Sequence, residues 1–359
     1  MTVNPSGTAH RPAGTALLLA AGLTLLLFGH GGCASPAGVI FPPLSDAPTW
    51  PGGVERPRIR YVGELATSAD LKPAVSFGQS LGGFLFGKKN IFSMLSPYAL
   101  CTDGDERLFV ADSNAQIVHV FDLGNHAYAQ WRPGDKKAHF GQPVGIAYDP
   151  AGKLYVADSV DACLHVFDGA GNYLGTTANG IVQRPAGLAF DRQGRRLFVA
   201  DVLAHQVVVL DSHGGLLGRL GERGAGEGQF NFPTNVAVDG QGRLYVSDSL
   251  NFRVQQYDAQ LQFVRQIGRK GDMPGYFAQP KGLSVDSEGH VYVVDANFET
   301  VQLFTDDGRL LMDFGTEGRA PGEFWLPAGI YIDAGDRIWV ADTYNRRVQV
   351  FDYLPEVLP

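Results

Sequence analysis

The sequence has 359 residues, 45% of them hydrophobic, and its 37 acidic residues outnumber the 29 basic ones to give a formal net charge of −8. This balance argues against nucleic acid as a partner, because phosphate binding needs a concentrated basic face. The length is ample for a large core, and the three cysteines are too few for a disulfide framework.

Residues 1–33 have the layout of a bacterial secretory signal. Arg11 is followed by the apolar stretch 15–29, which is shorter than the roughly 20 residues of a spanning helix. The run GGCA around Cys33 resembles the lipobox of bacterial lipoproteins, although His30 stands where an aliphatic residue is usual. We therefore expect export and a lipid anchor on Cys33 at the periplasmic side of the cell envelope. Cleavage and release into the periplasm is the alternative.

The next segments lead into the folded domain, which we expect to span residues 58–354 before a short tail at 355–359. Residues 34–57 are rich in Pro, Gly and Ser and are predicted to be a tether. Residues 59–63 (IRYVG) match the fourth strands of later repeats, such as residues 264–268.

An insert follows at 64–96, and it is far longer than the connections of about a dozen residues elsewhere in the domain. Its apolar residues and two lysines suggest a lid over the binding face or a docking segment, with folding back onto the domain as the alternative. The candidate residues of the insert are Phe77, Leu81, Phe84, Leu85, Phe86 and Phe92.

Six copies of one pattern fill residues 96–354, each with short strands separated by Gly or Asp turns. Each copy ends its second strand with a shared aspartate. These are Asp112, Asp158, Asp201, Asp248, Asp295 and Asp342. The regular spacing predicts an all-β fold, a six-bladed β-propeller. Because the sixth copy lacks a fourth strand, we expect the N-terminal residues 59–63 to pair with the last blade and close the ring.

In copies four and six, the second strand is followed by NFRVQ from Asn251 and by NRRVQ from Asn345. With these runs and the start Pro-x-Gly-Ile/Leu-Ala-x-Asp, residues 57–354 resemble the NHL repeat family. Copies one to three are more degenerate, with Asp161 and Ala204 in the place of the asparagine. The resemblance implies the fold and leaves function open, since the family includes binding scaffolds, RNA-binding modules, sensor domains and a few lyases.

Related propeller enzymes, among them lyases and calcium-dependent lactonases, place His, Asp, Glu or Asn on inner strands around the axis. Here the two positions after the inner proline offer only Asn235 as a ligand. The full set is Tyr98, Val144, Ala186, Thr234, Lys281 and Ala328, then Ala99, Gly145, Gly187, Asn235, Gly282 and Gly329. A hard cation needs six or more oxygens, so we expect no metal, no cofactor and no catalytic residue.

Other polar and thiol positions have plainer explanations. The shared aspartates are predicted to cap turns. His119 and His165 occupy a third-strand position that later copies fill with glutamine, which favours packing between blades over a ligand pair. Cys101 and Cys163 are predicted to be buried free thiols in preference to a bridge.

The loops at one end of the ring form the surface where we expect binding. Its candidate residues mix aromatic, Arg and Asn side chains, as recognition surfaces do, although turn formation and solubility explain them equally. They are Asn251, Phe252, Arg253, Lys281, Asn297, Phe298, Tyr344, Asn345, Arg346 and Arg347. The sequence thus predicts a non-enzymatic scaffold for an envelope protein, peptide or glycan, with a lyase or lactonase as the alternative.

Overall fold

The computed structural model describes residues 36–53, 56–74, 90–104, 106–134, 139–191 and 195–355. The chain divides into two compact units, Ala37–Pro73 with Asn90–Pro359, and Met1–Pro36 with Ala74–Lys89. Only Pro36 and Ala74 of the second unit are described. The predicted signal, Cys33 and the insert residues Phe77, Leu81, Phe84, Leu85 and Phe86 therefore lie outside the described residues. No helix in the described ranges is both long and apolar enough to cross a membrane.

The first unit is built of antiparallel strands. Before the repeats come β1 (Thr49–Trp50), β2 (Ile59–Leu65) and a 3-10 helix, Ser68–Leu71. Blade 1 comprises β3 (Pro97–Thr102), β4 (Arg107–Asp112), β5 (Ile117–Asp122) and β6 (Ala127–Trp131). Blade 2 comprises β7 (Pro143–Tyr148), β8 (Lys153–Asp158), β9 (Cys163–Asp168) and β10 (Tyr173–Thr177). Blade 3 comprises β11 (Pro185–Asp191), β12 (Arg196–Asp201), β13 (Gln206–Asp211) and β14 (Leu216–Leu220).

The remaining blades repeat this plan. Blade 4 comprises β15 (Pro233–Val238), β16 (Leu244–Asp248), a 3-10 helix (Ser249–Asn251), β17 (Arg253–Tyr257) and β18 (Phe263–Ile267). Blade 5 comprises β19 (Pro280–Val285), β20 (Val291–Asp295), β21 (Thr300–Phe304) and β22 (Leu310–Phe314). Blade 6 takes β23 (Ile330–Ile332), β24 (Arg337–Asp342) and β25 (Arg347–Tyr353) from the end of the chain. The described strands thus form six sheets, as the repeat predicted.

The ring closes through the N-terminal strand. In blade 6 the strand order is β1-β2-β25-β24-β23, with β2 antiparallel to β25. Ile59 pairs with Tyr353, and both Ile59 and Tyr61 are buried. Burial of these two side chains stabilises the seam by roughly 1.5–3 kcal/mol each. The predicted closure by residues 59–63 is confirmed.

Apolar clusters fill the spaces between neighbouring blades, because each sheet has two apolar faces. The crossover loops into blades 4, 5 and 6 each insert a fully buried phenylalanine, respectively Phe230, Phe277 and Phe324. Gly268 has a φ of +72°, and a Cβ there would lie 2.2 Å from the Phe277 ring. Glycine turns and phenylalanine anchors therefore shape these loops.

The inner strands touch each other at the hub. The Gly282 N–H donates to the Ala328 carbonyl of the next blade at 2.9 Å. A Cβ on Gly145 would lie 1.8 Å from the Ala186 oxygen. Glycine at these positions lets the inner strands of adjacent blades approach closely. The central space of the propeller is therefore narrow near the start of the inner strands.

Candidate functional site: the loop face and the hub mouth

The shared aspartates fix the loops of one face. Asp112 accepts the backbone N–H groups of Leu95 at 2.6 Å, Ser96 at 3.0 Å and Ala115 at 2.8 Å. One carboxylate thus ties the incoming crossover to the loop between the second and third strands, and Asp158 and Asp295 repeat the arrangement. The predicted turn-capping is confirmed, and these two sets of loops together form what we call the loop face.

Two of the predicted binding residues lie inside the blades. The Arg253 Nε donates to Asp248 at 2.8 Å, and its Nη2 donates to the Gly226 carbonyl at 2.7 Å. Arg347 bonds Asp342 in the same way at 2.8 Å, and its Nη1 also reaches Glu64 of β2 at 2.7 Å. Both guanidinium groups are buried, so they join strands to crossover loops within the fold.

Asn251 and Asn345 have a related role. The amide of Asn251 donates to Asp248 and to the Gly224 carbonyl, both at 2.8 Å. The amide of Asn345 donates to Asp342 at 2.9 Å and to the Gly318 carbonyl at 2.7 Å. These contacts hold the crossover loop against the loop between the second and third strands, and so shape the loop face from beneath.

The rest of the predicted set lies nearer the surface. Phe252 is partly covered by Lys270, whose Nζ lies 4.9 Å from the ring centroid. Asn297 and Arg346 are exposed, and Phe298 is half-buried. The Tyr344 ring packs 5.6 Å from Trp325.

On the loop face, the position two residues after the shared aspartate holds an exposed apolar side chain in four blades, and we call these four residues the apolar column. Its members are Val160, Leu203, Leu250 and Tyr344, which are 65%, 49%, 50% and 57% exposed. Of these four, only Tyr344 is among the binding residues predicted from the sequence. Aligning the repeats at this position, rather than searching for aromatic and charged residues, would have found the others.

Lys281 lies beside the axis on the loop face. We call the region formed by Lys281, Tyr98 and Arg184 the hub mouth. The Lys281 Nζ is 5.9 Å from the Tyr98 ring centroid. Burial raises the pKa of Tyr98, and the Arg184 guanidinium opposes that rise. Burial lowers the pKa of Lys281, and no carboxylate of the described residues forms an ion pair with it. The hub mouth therefore holds a partly desolvated cation.

A cavity of about 410 Å³ lies along the axis, lined by inner strands of all six blades and by the turns that follow them. Its wall includes Asp191, Asp239, Asp286 and Asp333, which were not predicted because they lie after the inner strands and not at their start. Each is bound within its own blade. The donors are Arg196 at 2.6 Å, Arg243 at 2.6 Å, His290 at 2.8 Å and the Trp339 indole at 2.9 Å.

The described ends of the insert pack against blade 1. Thr67 bridges to Ser93, and a His126 ring nitrogen lies 2.5 Å from the Leu71 carbonyl oxygen. Phe92 stacks on Tyr128 with 5.4 Å between ring centroids. Of the six candidate insert residues, Phe92 is the one whose surroundings are described.

The NHL repeat model matches residues 140–167, 230–257 and 324–351, which lie in blades 2, 4 and 6. Blade 2 matches although Asp161 replaces the asparagine. Sheets, repeats and closure together define a six-bladed β-propeller. Three of the blades therefore carry sequences that match the NHL repeat, and no curated protein matches the chain significantly.

Several solved structures share the fold. Virginiamycin B lyase from Staphylococcus aureus is 10% identical, with a TM-score of 0.54 over 72% of this chain and 95% of that chain. An auxiliary nutrient binding protein from Bacteroides thetaiotaomicron is 13% identical, with a TM-score of 0.57 over 72% and 69%. A chain of a nidogen/laminin complex is 16% identical, with a TM-score of 0.52 over 66% and 85%. At these identities the likeness concerns the fold alone.

Proposed function

We propose that this propeller is a non-enzymatic binding protein of the bacterial cell envelope that holds a polypeptide partner on its loop face. The observation that supports this most is the apolar column, because four exposed large side chains recur at one repeat position on one face. Exposed apolar side chains that recur on one face favour an interaction site there. The loops that present it are fixed by buried aspartates, which gives the rigid scaffold that binding loops need.

The hub mouth suggests which polar group of the partner is recognised. Lys281 and Arg184 both lie near Tyr98 but come from blades 5 and 3. A cation removed from water favours an anionic partner, since the ion pair is then less screened than at an open surface. A carboxylate of the partner, from an acidic side chain or a C-terminus, fits this position.

The envelope location rests on the leader and on Cys33. Labelling cells with a radioactive fatty acid tests it directly: the wild-type chain is expected to incorporate label and the Cys33→Ser variant is not. A wild-type chain recovered unlabelled in the soluble periplasmic fraction would favour release over anchoring. Solved propellers of this fold include a protein named for nutrient binding, so a binding role is compatible with the fold.

Site-specific crosslinking tests the binding face. A photoreactive amino acid at Leu203 or Leu250 is expected to capture the same polypeptide in native envelopes. The matched controls are Leu217 and Leu311, which are similarly exposed but lie on fourth strands at the rim. Equal capture from the rim positions would contradict the proposal, and recovery of a glycan would replace the polypeptide as partner.

The captured partner then allows affinity to be measured. Leu203→Glu with Leu250→Glu is expected to weaken binding by roughly 30-fold or more, since interface anchors contribute about 1–2 kcal/mol each. Lys281→Gln is expected to weaken binding by about tenfold and to reduce its salt dependence. Leu217→Glu serves as the control and leaves affinity unchanged. Unaltered affinity in the double variant would exclude the loop face.

A further inference from the structure

Four potential metal ligands converge in blade 2. Asp158 ends β8, Cys163 begins β9, His165 follows on β9, and Asp161 lies in the loop between the two strands. The His165 Nε2 lies 3.6 Å from Asp158 Oδ2, 3.8 Å from Asp161 Oδ2 and 3.7 Å from the Cys163 Sγ. Two carboxylates, one thiol and one imidazole therefore meet at one side of blade 2.

These separations suit a single ion. Ligand atoms at the usual zinc bond lengths of about 2.0–2.3 Å lie roughly 3.3–3.7 Å apart around a tetrahedron. The three distances, all taken from the His165 Nε2, are within a few tenths of an ångström of that range. Asp158, Asp161 and His165 each offer a ligand atom within 4.8 Å of the others, and the Cys163 Sγ lies next to His165 but outside that set of three.

Comparison with blades 4 and 6 shows which side chains blade 2 has exchanged. In blade 6 the shared Asp342 accepts from Asn345 at 2.9 Å, from Arg347 at 2.8 Å and from Gln349 at 3.0 Å. Blade 4 does the same with Asn251, Arg253 and Gln255. In blade 2 the same three positions hold Asp161, Cys163 and His165, so the buried cation is gone and a carboxylate has been added.

The surroundings of the blade 2 cluster also favour a ligand. Cys163 is buried, and among the described residues its Sγ contacts no polar group except His165. The His165 Nδ1 lies 3.0 Å from the Tyr173 hydroxyl, which orients the ring and leaves Nε2 toward the cluster. Asp161 is 47% exposed and offers a path from solvent.

We propose that blade 2 binds one divalent transition-metal ion of the zinc class through Asp158, Asp161, Cys163 and His165. The ion takes the place of the arginine that neutralises the shared aspartate in blades 4 and 6. Asp158, Asp161 and His165 supply the three mutually close ligand atoms, and Cys163 completes the coordination sphere when its side chain turns toward the ion, which gives a closed, structural site. This departs from the expectation, drawn from the sequence, that the protein holds no metal.

Blade 1 provides an internal control. Its His119 Nε2 lies 3.2 Å from the shared Asp112, and its Nδ1 lies 2.6 Å from the Tyr128 hydroxyl. The positions of Asp161 and Cys163 are occupied there by Ala115 and Ile117. Blade 1 thus has the same His–Asp pair without the two further ligands.

Cobalt titration of the purified full chain tests the proposal. One equivalent of Co²⁺ is expected to produce a thiolate-to-cobalt charge-transfer band and intense visible bands of a four-coordinate ion. Zn²⁺ is expected to displace Co²⁺ and, at a hundredfold excess over its Kd, to raise the Tm by about 3 °C or more. Cys163→Ala removes the charge-transfer band, and His165→Gln lowers the affinity for Co²⁺ at least tenfold.

Matched variants separate this site from other thiols and imidazoles. Cys101→Ala, Cys33→Ser and His119→Gln are expected to leave the band and the stoichiometry unchanged. Asp161→Asn, an exposed change that spares the core, lowers Co²⁺ affinity at least tenfold even if Cys163→Ala fails to fold. A band that survives in Cys163→Ala, a band lost in Cys33→Ser, or Co²⁺ affinity unaffected by Asp161→Asn would overturn the proposal.

Discussion

Blades 6 and 2 share one backbone plan and differ in what lies beside the shared aspartate. In blade 6, Arg347 connects Asp342, the crossover carbonyls of Ala320 and Glu323, and Glu64 of the closing strand. In blade 2, a thiol and an imidazole occupy the equivalent space.

A buried carboxylate must be matched by donors or a cation, so one repeat can keep its fold with different partners for the same acid. In both blades, backbone N–H groups of the crossover bind the aspartate as well. The backbone capping is therefore the constant part of the repeat, and the side-chain partners are the variable part.

The largest expected effect concerns the closing strand of blade 6. Deleting residues 57–64 removes the buried Ile59 and Tyr61 and leaves the edge of β25 unpaired. We expect a loss of more than about 5 kcal/mol in the free energy of unfolding, measured by urea denaturation, since each large buried side chain contributes about 2–5 kcal/mol. Deleting residues 355–359 is the control. An unchanged melt after the first deletion would refute closure by β2.

Arg347→Leu tests the arginine of blade 6 itself. The substitution leaves Asp342 and the crossover carbonyls without their cation, and we expect a cost of about 3–5 kcal/mol in urea denaturation. Arg309 forms an exposed ion pair with Asp307 at 3.0 Å, so Arg309→Leu should cost less than about 0.5 kcal/mol. Equal costs for the two variants would contradict a central role for Arg347.

Importing the blade 6 residues into blade 2 gives a smaller effect. Asp161→Asn, Cys163→Arg and His165→Gln together recreate the donors that surround Asp342. We expect the metal-free triple variant to stay within about 1 kcal/mol of the wild type, because the consensus donors suit the repeat backbone. It should also lose Co²⁺ binding. Destabilisation of the metal-free variant by about 3 kcal/mol or more would show that the two arrangements are not interchangeable.

The smallest effect is a pH dependence at the seam between blades 5 and 6, where the His290 ring lies 5.7 Å from the Tyr353 ring. The hydrogen bond to Asp286 raises the pKa of His290, burial and Arg58 oppose the rise, and Glu288 assists it. Since the folded pKa exceeds the unfolded value of about 6.5, the stabilisation is complete below that pH and is lost as the pH rises through the folded pKa.

In the wild type, the free energy of unfolding should therefore decline by less than about 1 kcal/mol between about pH 6 and pH 9, and His290→Gln should abolish this decline. Urea denaturation across that interval measures it, and the exposed His213→Gln serves as the control. A decline of the same size in both His290→Gln and the wild type would assign it to another group.

The sequence predicted the fold because each repeat carries its own strands and turns. The match between residues 59–63 and the fourth strands was enough to predict how the ring closes, because the sixth copy lacks a fourth strand of its own. Asparagines and arginines after the second strand suggested a recognition surface, yet Arg253 and Arg347 turn inward. The signal was present in the register: Asp248 pairs with Arg253, and Asp342 with Arg347, across a tight hairpin.

Other features of the site depend on comparing repeats position by position. The apolar column was missed because Val160, Leu203 and Leu250 are ordinary residues when taken singly. The blade 2 cluster was missed because Cys163 and His165 were assessed separately, one as a thiol and the other as a packing residue. The distances between these side chains, and the face on which they lie, do not follow from a single copy of the repeat. Only the structure shows which of them are close together.

The pairing of β2 with β25 has a consequence for the order in which the protein is made. β2 precedes the repeats and β25 ends the sixth, so a chain that emerges from its N-terminus, at the ribosome or across a membrane, is an open arc whose first strand has no partner until β25 appears. Resistance to proteases should therefore develop late and abruptly, when Arg347–Tyr353 emerges, and chains truncated before that segment should remain substrates for quality-control proteases.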